Sequence, residues 1–259
     1  MATILVTGGT GRLGRALVDR LLDDGHDVRS LSRRPHTGVG RTGLTAYAVD
    51  LRDGTGLAAA VAGVDAIVHC ATAPAGGDEE AAGRLIAAAR AAGVPHLVYI
   101  SIVGVDRIPF GYYRTKLAVE RAVEASGLGW TVLRTTQFHD LVLRIVKAGA
   151  RLPVLPVPSG VRVQPVDVRD VAARLAELAA GEPAGRVADL GGPEAFEVRE
   201  LVHRTLRAGG RRRLVVPLRL PGAAFGALSR GENLALDQPA GRFGYGDFLA
   251  ARGGRAANG

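Results

Sequence analysis

The chain has 259 residues, 47% of them hydrophobic, so it is long and apolar enough to bury a large core and is not expected to be disordered. Its formal net charge of +8 arises from 33 Lys and Arg against 25 Asp and Glu. The single cysteine, Cys70, excludes a disulfide within the chain and gives no metal cluster.

Neither a membrane-spanning segment nor a signal peptide is predicted. No apolar run reaches the roughly 18 residues that span a bilayer, and the first residues lack a basic region. The basic residues are spread along the chain, without a zinc finger, a helix-turn-helix or one basic helix. We therefore expect a cytoplasmic protein, a monomer or homodimer, with a small-molecule substrate and neither a specific nucleic acid nor a membrane as partner.

The first 150 residues alternate short apolar runs with helical periodicity. Thr3–Thr7 is a β-branched run without polar alternation, as expected of a strand buried on both faces. The glycines that follow lead into apolar residues at helical spacing, which end at Gly25. Further strands are predicted at Asp27–Ser32, Leu44–Val49, Ala66–His69, His96–Ser101 and Trp130–Arg134, and helices at Asp53–Ala62, Asp78–Ala92 and Tyr112–Ser126. This alternation predicts an α/β fold, a doubly wound parallel Rossmann sheet.

Beyond Ala150 the pattern is less regular. Leu152–Pro158 contains three prolines and is interpreted as a loop or an edge segment. Asp167 is expected to cap a helix that continues to Ala180. Further strands are predicted at Val161–Val166, Arg186–Leu190 and Arg212–Val216, and a further helix is predicted from Glu197. The segment Pro217–Gly231 is apolar, and the tail after Arg252 is expected to fray. We interpret residues 1–259 as one domain in which residues 151–259 add a small mixed substrate-binding lobe.

The glycine loop between the first strand and the first helix predicts a dinucleotide site. Gly8 permits a tight turn, Gly11 lets the backbone approach a pyrophosphate, and Gly14 lets helix and strand pack closely. The phosphates then meet free N–H groups at a helix N-terminus. Thr10, Arg12 and Leu13 complete the loop.

The loop and several later motifs resemble the extended and atypical short-chain dehydrogenase/reductases. Within that superfamily the chain is most similar to the NmrA-like, NAD(P)H-binding group that includes isoflavone-reductase-like enzymes. The resemblance rests on Thr7–Gly14, Asp50-Leu51, His69–Thr72, Val98–Ser101, Tyr112–Lys116, Trp130–Arg134 and Gln164–Val171, and it covers roughly residues 1–205. It is specific for fold and cofactor but not for substrate.

The end of the second strand favours NADP(H) over NAD(H). NAD-preferring relatives carry a carboxylate there, whereas this chain has Ser32 followed by Arg33 and Arg34. An arginine pair can bind a 2′-phosphate through charge-assisted hydrogen bonds, and Arg12 adds a further positive group. The resemblance also implies that Asp50 and Leu51 line the adenine pocket and that Ala71 and Thr72 pass along the nicotinamide ribose, and Cys70 is a further candidate cofactor contact.

Tyr112 and Lys116 are the candidate catalytic pair. Four residues apart on a helix, they share one face. The resemblance implies that Tyr112 donates a proton to a carbonyl oxygen as hydride arrives. We expect the lysine and a positive nicotinamide ring to lower the pKa of this tyrosine, and the lysine also to hold the nicotinamide ribose.

The remaining candidate residues lie after the fifth and sixth strands. The resemblance implies that Ser101 polarises the substrate oxygen, although in another register its place is taken by Ile102, which cannot donate a hydrogen bond. Gln137, Phe138 and His139 are candidate substrate or nicotinamide contacts, because ligands in open α/β sheets bind beyond the carboxyl ends of the strands.

Three functions remain open at this point. The favoured one is an NADPH-dependent oxidoreductase that acts on a small carbonyl or quinone-like metabolite. A redox-neutral epimerase or dehydratase that keeps its NAD(P) bound is an alternative. A non-catalytic NmrA-like sensor of NADP(H) is the other.

Overall fold

The computed structural model describes residues 1–34, 41–72, 76–237 and 241–256, and the chain divides into two compact units. The first unit comprises residues 1–101, 111–134 and 171–188, and the second comprises residues 102–110, 135–170 and 189–259. The second unit thus begins earlier than residue 151, because the segments that follow two strands of the first unit already belong to it. Whether the second unit binds substrate stays a prediction.

A seven-stranded sheet forms the centre of the first unit. Its strands are β1 (Thr3–Thr7), β2 (Asp27–Ser32), β3 (Leu44–Ala48), β4 (Ala66–His69), β5 (His96–Ile102), β6 (Gly129–Thr135) and β9 (Gly185–Arg186), in the order β3-β2-β1-β4-β5-β6-β9. The registered pairs are parallel. The chain builds outward from β1 to β3 and then returns to build the other half from β4, which confirms the doubly wound Rossmann fold. The switch point between β1 and β4 is where such sheets bind ligands.

Helices pack against this sheet through apolar faces. They are α1 (Arg12–Asp23), α2 (Leu57–Val61), α3 (Asp78–Ala91), α4 (Gly111–Glu124) and most of α6 (Val168–Ala180). In α1 the residues Leu13, Leu17 and Leu21 recur at helical spacing and are buried. Ile4 and Leu5 of β1 have no exposed surface, as expected of a strand covered on both faces. The glycine loop therefore joins two rigid elements.

The second unit has a smaller core and two short sheets. Its elements are α5 (His139–Gly149), β7 (Val154–Pro158), β8 (Arg162–Val163), β10 (Phe196–Glu197), α7 (Val198–Ala208), β11 (Leu214–Leu218), α8 (Ala223–Ser229) and α9 (Tyr245–Ala256). Strand β7 pairs in parallel with β11, and β8 pairs antiparallel with β10. Side chains from α5, α7 and α9, including Val142, Leu206 and Phe248, form one apolar cluster. This cluster holds the helices of the unit together.

Several element boundaries differ from the sequence predictions. The helix expected from Asp53 starts at Leu57, because Gly54 and Gly56 adopt positive φ and the Asp53 carboxylate accepts a hydrogen bond from the Thr55 amide at 2.7 Å. The strand expected over Arg186–Leu190 shortens to Gly185–Arg186, with one isolated bridge at Leu190. Helices α5 and α9 were not predicted as elements, and α9 continues beyond Arg252, where fraying was expected.

Two predictions beyond Ala150 are confirmed. The proline-containing segment is an edge strand, since β7 pairs with β11 alone. The carboxylate of Asp167 caps α6 by accepting a hydrogen bond from the Arg169 amide at 2.9 Å. Among the described residues, none of the helices combines the length and apolar character that crossing a membrane requires.

Candidate cofactor groove and catalytic residues

The glycine loop needs glycine for two different reasons. Gly8 has a φ of +68°, and a Cβ there would lie 3.0 Å from the backbone of Ala71. A Cβ on Gly14 would collide with the carbonyl oxygen of Gly8, so helix α1 approaches the loop as closely as it does only without a side chain. The Gly11 amide closes the turn by donating to the Gly8 carbonyl oxygen at 2.8 Å.

Helix α1 begins at this loop with no side chain over its first amide groups. Gly11 is its N-cap residue and provides no side-chain hydrogen bond, and the first turn contains no acidic residue. The N–H groups of a first helical turn lack partners within the helix. The loop and the helix start therefore have the chemistry that suits a pyrophosphate.

A groove of about 630 Å³ extends from the glycine loop across the carboxyl ends of β1, β2 and β4. A volume of this size is typical of small-molecule and cofactor sites. Eleven of the residues expected to contact the cofactor line it: Gly8, Thr10, Gly11, Ser32, Arg33, Arg34, Asp50, Leu51, Cys70, Ala71 and Thr72. The lining also includes Leu31, Val49, Arg52, His69, Gly77, Asp78 and Ala81, which sequence reasoning did not single out.

Four expected cofactor contacts do not line the groove: Lys116, and three residues of the first turn of α1. Leu13 and Gly14 are buried in the first turn of α1, where they pack the helix against the sheet. Arg12 begins the same helix with an exposed side chain. The glycine spacing identifies all three, but it does not separate residues that shape the turn from residues that face the ligand.

The end of the groove at β2 is positively charged. The hydroxyl of Ser32, which stands where NAD-preferring relatives have a carboxylate, donates to the carbonyl oxygen of Arg34 and so closes a turn. Asp50 accepts hydrogen bonds from the amide of Arg52 at 3.0 Å and from its guanidinium at 3.2 Å. These bonds, and more weakly the charge of Arg33, lower the pKa of Asp50. Three arginines, Arg33, Arg34 and Arg52, therefore line this end of the groove, and its carboxylate, Asp50, is already paired with Arg52, an arrangement that suits a phosphate.

Tyr112 adjoins the groove through a hydrogen bond to its wall. Its phenolic oxygen lies 3.0 Å from Oγ1 of Thr72, and Thr72 in turn donates to Oδ2 of Asp78 at 2.7 Å. Tyr112 lies in the first turn of α4 and 43% of its surface is exposed, so its hydroxyl is accessible to a ligand. Asp78 was predicted only as the start of a helix, because its contact with Thr72 is set by the fold.

Lys116 is buried one turn further along α4. Its Nζ donates to the carbonyl oxygen of Ile100 at 2.8 Å and lies 4.2 Å from the centre of the Tyr99 ring. Burial lowers the pKa of Lys116 to about 8, although Asp78, Cys70 and Glu120 act in the opposite direction. The ammonium is therefore still mostly protonated at neutral pH, although it loses its proton far more readily than an exposed lysine does.

The pKa of Tyr112 is raised rather than lowered, so the sequence expectation was wrong for the protein as it stands. Burial is the main cause, and the charge of Asp78 adds to it. Lys116 does not lower this pKa, because its ammonium is directed to Ile100 and Tyr99. Tyr112 therefore keeps its proton at neutral pH, which is the state that a proton donor requires.

Two other groove residues stay neutral. Burial lowers the pKa of His69 to about 3, and its Nδ1 is paired with Oγ1 of Thr7 at 2.8 Å. Burial also raises the pKa of the Cys70 thiol to about 12, which leaves it unreactive at neutral pH. His69 and Cys70 therefore line the groove as neutral side chains and add no charge to it.

Ser101 and the segment after β6 have different surroundings. Ser101 is 2% exposed, and its hydroxyl has no hydrogen-bond partner among the described residues. In the second unit, His139 is 1% exposed, with Nε2 3.0 Å from the Pro165 carbonyl oxygen and Nδ1 3.4 Å from Oδ2 of Asp167. Gln137 and Phe138 are half-buried in the same unit. The roles expected of these four residues stay predictions.

Comparison with known proteins agrees with this geometry. The family described as NAD(P)H-binding matches residues 8–182. A (4-alkanoyl-5-oxo-2,5-dihydrofuran-3-yl)methyl phosphate reductase from Streptomyces griseus is 38% identical over 80% of this chain and 74% of its own length. Quinone oxidoreductase 2 from Escherichia coli is 26% identical over 80% of this chain and 75% of its own length.

A solved structure supports the fold. The crystal structure of an NADPH-dependent quinone oxidoreductase from Escherichia coli, complexed with NADPH, matches with a TM-score of 0.84 over 96% of this chain and 99% of that chain, at 20% identity. The family match extends from the glycine loop to the end of α6 and so includes the whole groove and the Tyr112–Lys116 pair. The chain belongs to the NAD(P)H-binding family.

Proposed function

We propose that this protein is an NADPH-dependent oxidoreductase that reduces a small carbonyl or quinone-like metabolite, with Tyr112 as the proton donor. The observation that carries the proposal is the contact of Tyr112 with Thr72, because Thr72 belongs to the wall of the cofactor groove. A protonated phenol is thereby held beside the place where a nicotinamide ring would lie. Its raised pKa keeps the proton available until an oxyanion forms on the substrate.

The groove supports the choice of cofactor. Arg33, Arg34 and Arg52 offer guanidinium groups at its β2 end, and the one carboxylate there, Asp50, is paired with Arg52. The 2′-phosphate of NADPH would bind at these arginines, and its pyrophosphate would bind at the Gly11 end of α1. When bound, the cofactor supplies the hydride. Thr72 and Asp78 hold the Tyr112 hydroxyl in place.

The names of the relatives support the reaction class. The relative from Streptomyces griseus is a reductase and that from Escherichia coli is a quinone oxidoreductase. Both reduce an acceptor, which favours net reduction here over redox-neutral chemistry. Substrates with a conjugated carbonyl, including quinones and unsaturated lactones, are therefore the first class to test.

A non-catalytic NADP(H) sensor is the second candidate. The burial of Ser101 favours it, because a hydroxyl that is 2% exposed is poorly placed to polarise a substrate oxygen. A sensor would bind NADPH in the same groove without consuming it.

The experiment measures NADPH oxidation with a panel of quinones, unsaturated lactones and small aldehydes. Wild type should oxidise NADPH with at least one class, and Tyr112→Phe should lower kcat by roughly 100-fold or more while the Kd for NADPH changes little. Tyr113→Phe, on the adjacent tyrosine, is the matched control and should keep its activity. Equal activity of Tyr112→Phe and wild type would exclude the phenol as donor, and binding without oxidation across the panel would favour the sensor.

A further inference from the structure

The small parallel sheet of β7 and β11 in the second unit presents an apolar face to solvent. Leu214 lies opposite Val154 in the register, and Val216 lies opposite Pro156. Side chains alternate along a strand, so Leu214, Val216 and Leu218 share one side, while Leu155, Val157 and Val215 are buried on the other. We call the solvent side, together with the flanking Leu152 and Leu220, the β7–β11 face.

This face concentrates exposed apolar side chains. Ten large hydrophobic residues are exposed in the described part of the chain, and five of them belong to the β7–β11 face: Leu152, Val154, Leu214, Leu218 and Leu220. Leu214 is 64% exposed and Leu152 is 55% exposed. Single exposed apolar residues need no explanation, but a contiguous group of them indicates an interaction surface.

Two segments that include the strands of the face carry all of the net positive charge. Residues 141–166 and 201–231 contain eleven Arg and Lys and not one Asp or Glu, and of these cations Arg204 and Arg230 pair with Glu200 and Glu232 just outside the ranges. The rest of the chain has 22 Arg and Lys against 25 Asp and Glu, a net charge of −3. A uniform arginine bias would spread the excess evenly, so this concentration indicates an anionic partner for these two segments.

Arginines also flank a depression at the edge of the face. This depression is shallow and wide open to solvent, and it is lined by Arg151, Arg212, Arg213, Pro153 and Leu214. Among the described residues, none of these three arginines forms an ion pair with a carboxylate. Arg213 instead donates to the carbonyl oxygens of Ala150 at 3.0 Å and of Arg212 at 2.7 Å. Guanidinium groups without counter-charges beside an exposed leucine suit a phosphate that is joined to an apolar chain.

We propose that the β7–β11 face docks on the surface of an anionic lipid membrane. The leucines enter the boundary between headgroups and acyl chains, while Arg151, Arg212 and Arg213 bind the lipid phosphates. Surface binding needs no spanning helix, so it is compatible with the absence of one among the described residues. The proposal departs from the expectation, made from the sequence, that the protein has no membrane partner. That expectation was based on the lack of spanning segments and of basic clusters along the sequence, and it did not take the pairing of β7 with β11 into account.

Other occupants explain less of the face. A second copy joined by a two-fold axis would bring the same arginines against one another. A peptide that adds a strand would meet Pro156, Pro158 and Pro217, which have no N–H to donate. A nucleic acid would use the arginines but would leave the leucines unexplained.

The experiment is co-sedimentation of the full chain with vesicles. Wild type should bind vesicles of phosphatidylglycerol mixed equally with phosphatidylcholine at least about tenfold more tightly than vesicles of phosphatidylcholine alone, and high salt should weaken this binding. Two variants, Leu214→Ser with Leu218→Ser and Arg212→Glu with Arg213→Glu, should each bind the anionic vesicles at least about tenfold more weakly.

The controls separate a lost surface from a lost fold. Leu236→Ser removes an apolar side chain that is 51% exposed outside the face, and Arg174→Glu reverses an exposed charge of the first unit; both should bind vesicles as wild type does. All variants should keep their affinity for NADPH. Equal binding to the two kinds of vesicle would overturn the proposal. Loss of vesicle binding in the arginine variant alone would also overturn it, because that result would indicate a site for free polyanions. A wild-type dimer that the leucine variant abolishes would overturn it as well.

Discussion

The phenolic oxygen of Tyr112 lies 3.0 Å from the hydroxyl oxygen of Thr72. Because Thr72 donates its one hydroxyl hydrogen to Asp78, the bond between the two hydroxyls is donated by Tyr112. The chain of bonds thus runs from the phenol through Thr72 to a carboxylate that is 7% exposed. It fixes the direction of the Tyr112 hydroxyl at the wall of the groove.

This arrangement predicts the behaviour of Asp78→Asn. The negative charge of Asp78 is one cause of the raised pKa of Tyr112, so its removal should lower that pKa. The ultraviolet absorbance of the phenolate, followed against pH and compared with Tyr112→Phe, isolates this tyrosine from the other four. Glu79→Gln, at the next residue of α3, is the control and should leave the pKa of Tyr112 unchanged. An unchanged titration of Tyr112 in Asp78→Asn would show that the charge of Asp78 does not affect the pKa of Tyr112.

The buried lysine predicts a dependence of stability on pH. The pKa of Lys116 is about 8 in the folded protein and 10.5 when unperturbed. Between these values the unfolded chain binds a proton that the folded chain does not, so the free energy of unfolding rises with pH in that window. Below pH 8 the full cost of burying the charge is present, and the gain up to pH 10.5 is roughly 3 kcal/mol at most.

Denaturant unfolding at several pH values checks this dependence. Lys116→Met should remove this rise in stability, whereas Lys147→Met, at the chain's only other lysine, should retain it. A rise of the same size in Lys116→Met would assign the dependence to another group.

The ion pair between Glu120 and Arg134 predicts a non-additive double variant. The side chains of Glu120 and Arg134 are 1% and 5% exposed, and the guanidinium donates to both carboxylate oxygens, at 2.9 and 2.7 Å. Glu120→Leu leaves a buried charge without its partner and should cost about 3–5 kcal/mol of the free energy of unfolding. Adding Arg134→Met should recover much of this loss.

The exposed pair of Arg174 and Glu177 is the control for that measurement. Glu177→Ala should cost less than about 1 kcal/mol, because solvent screens this pair. If Glu120→Leu proved no more destabilising than Glu177→Ala, the buried pair would not be a strong constraint on the fold.

The arginines after β2 predict the preference for cofactor. Arg33→Asp should raise the Kd for NADPH by roughly tenfold or more and change the Kd for NADH little, because it places a carboxylate near the 2′-phosphate. Titrations of both cofactors measure the effect, with Arg174→Asp as the charge-matched control on an exposed helix. An unchanged ratio of the two Kd values in Arg33→Asp would show that Arg33 does not select the cofactor.

Local patterns were sufficient to predict the sheet and most of the groove. The strand of Thr3–Thr7, the spacing of Gly8, Gly11 and Gly14, and Ser32 before two arginines each depend on neighbours in sequence. Those features predicted the fold and six residues of the groove wall, and the family resemblance implied the other five. They also predicted Asp167 as a cap, since capping is a contact between near neighbours.

Contacts between distant residues could not be predicted in the same way. The bond between Thr72 and Tyr112 joins residues 40 positions apart, and it depends on how α4 packs beside the end of β4. The pKa of Tyr112 was expected to be lowered because the spacing to Lys116 was known but the direction of the ammonium was not. The pairing of β7 with β11 joins two segments roughly 60 residues apart, so the basic apolar face was not visible in either segment alone.

The most direct test of the proposed function is the transfer of label from NADPH deuterated at nicotinamide C4 to the product of an active substrate. The expected result is product that carries one deuterium, a slowed single turnover, and a rate that falls by roughly 100-fold in Tyr112→Phe but not in Tyr113→Phe. NADPH that binds in the groove of the wild-type protein but gives no deuterium to any lactone or aldehyde, and is not oxidised by any quinone, would contradict the account.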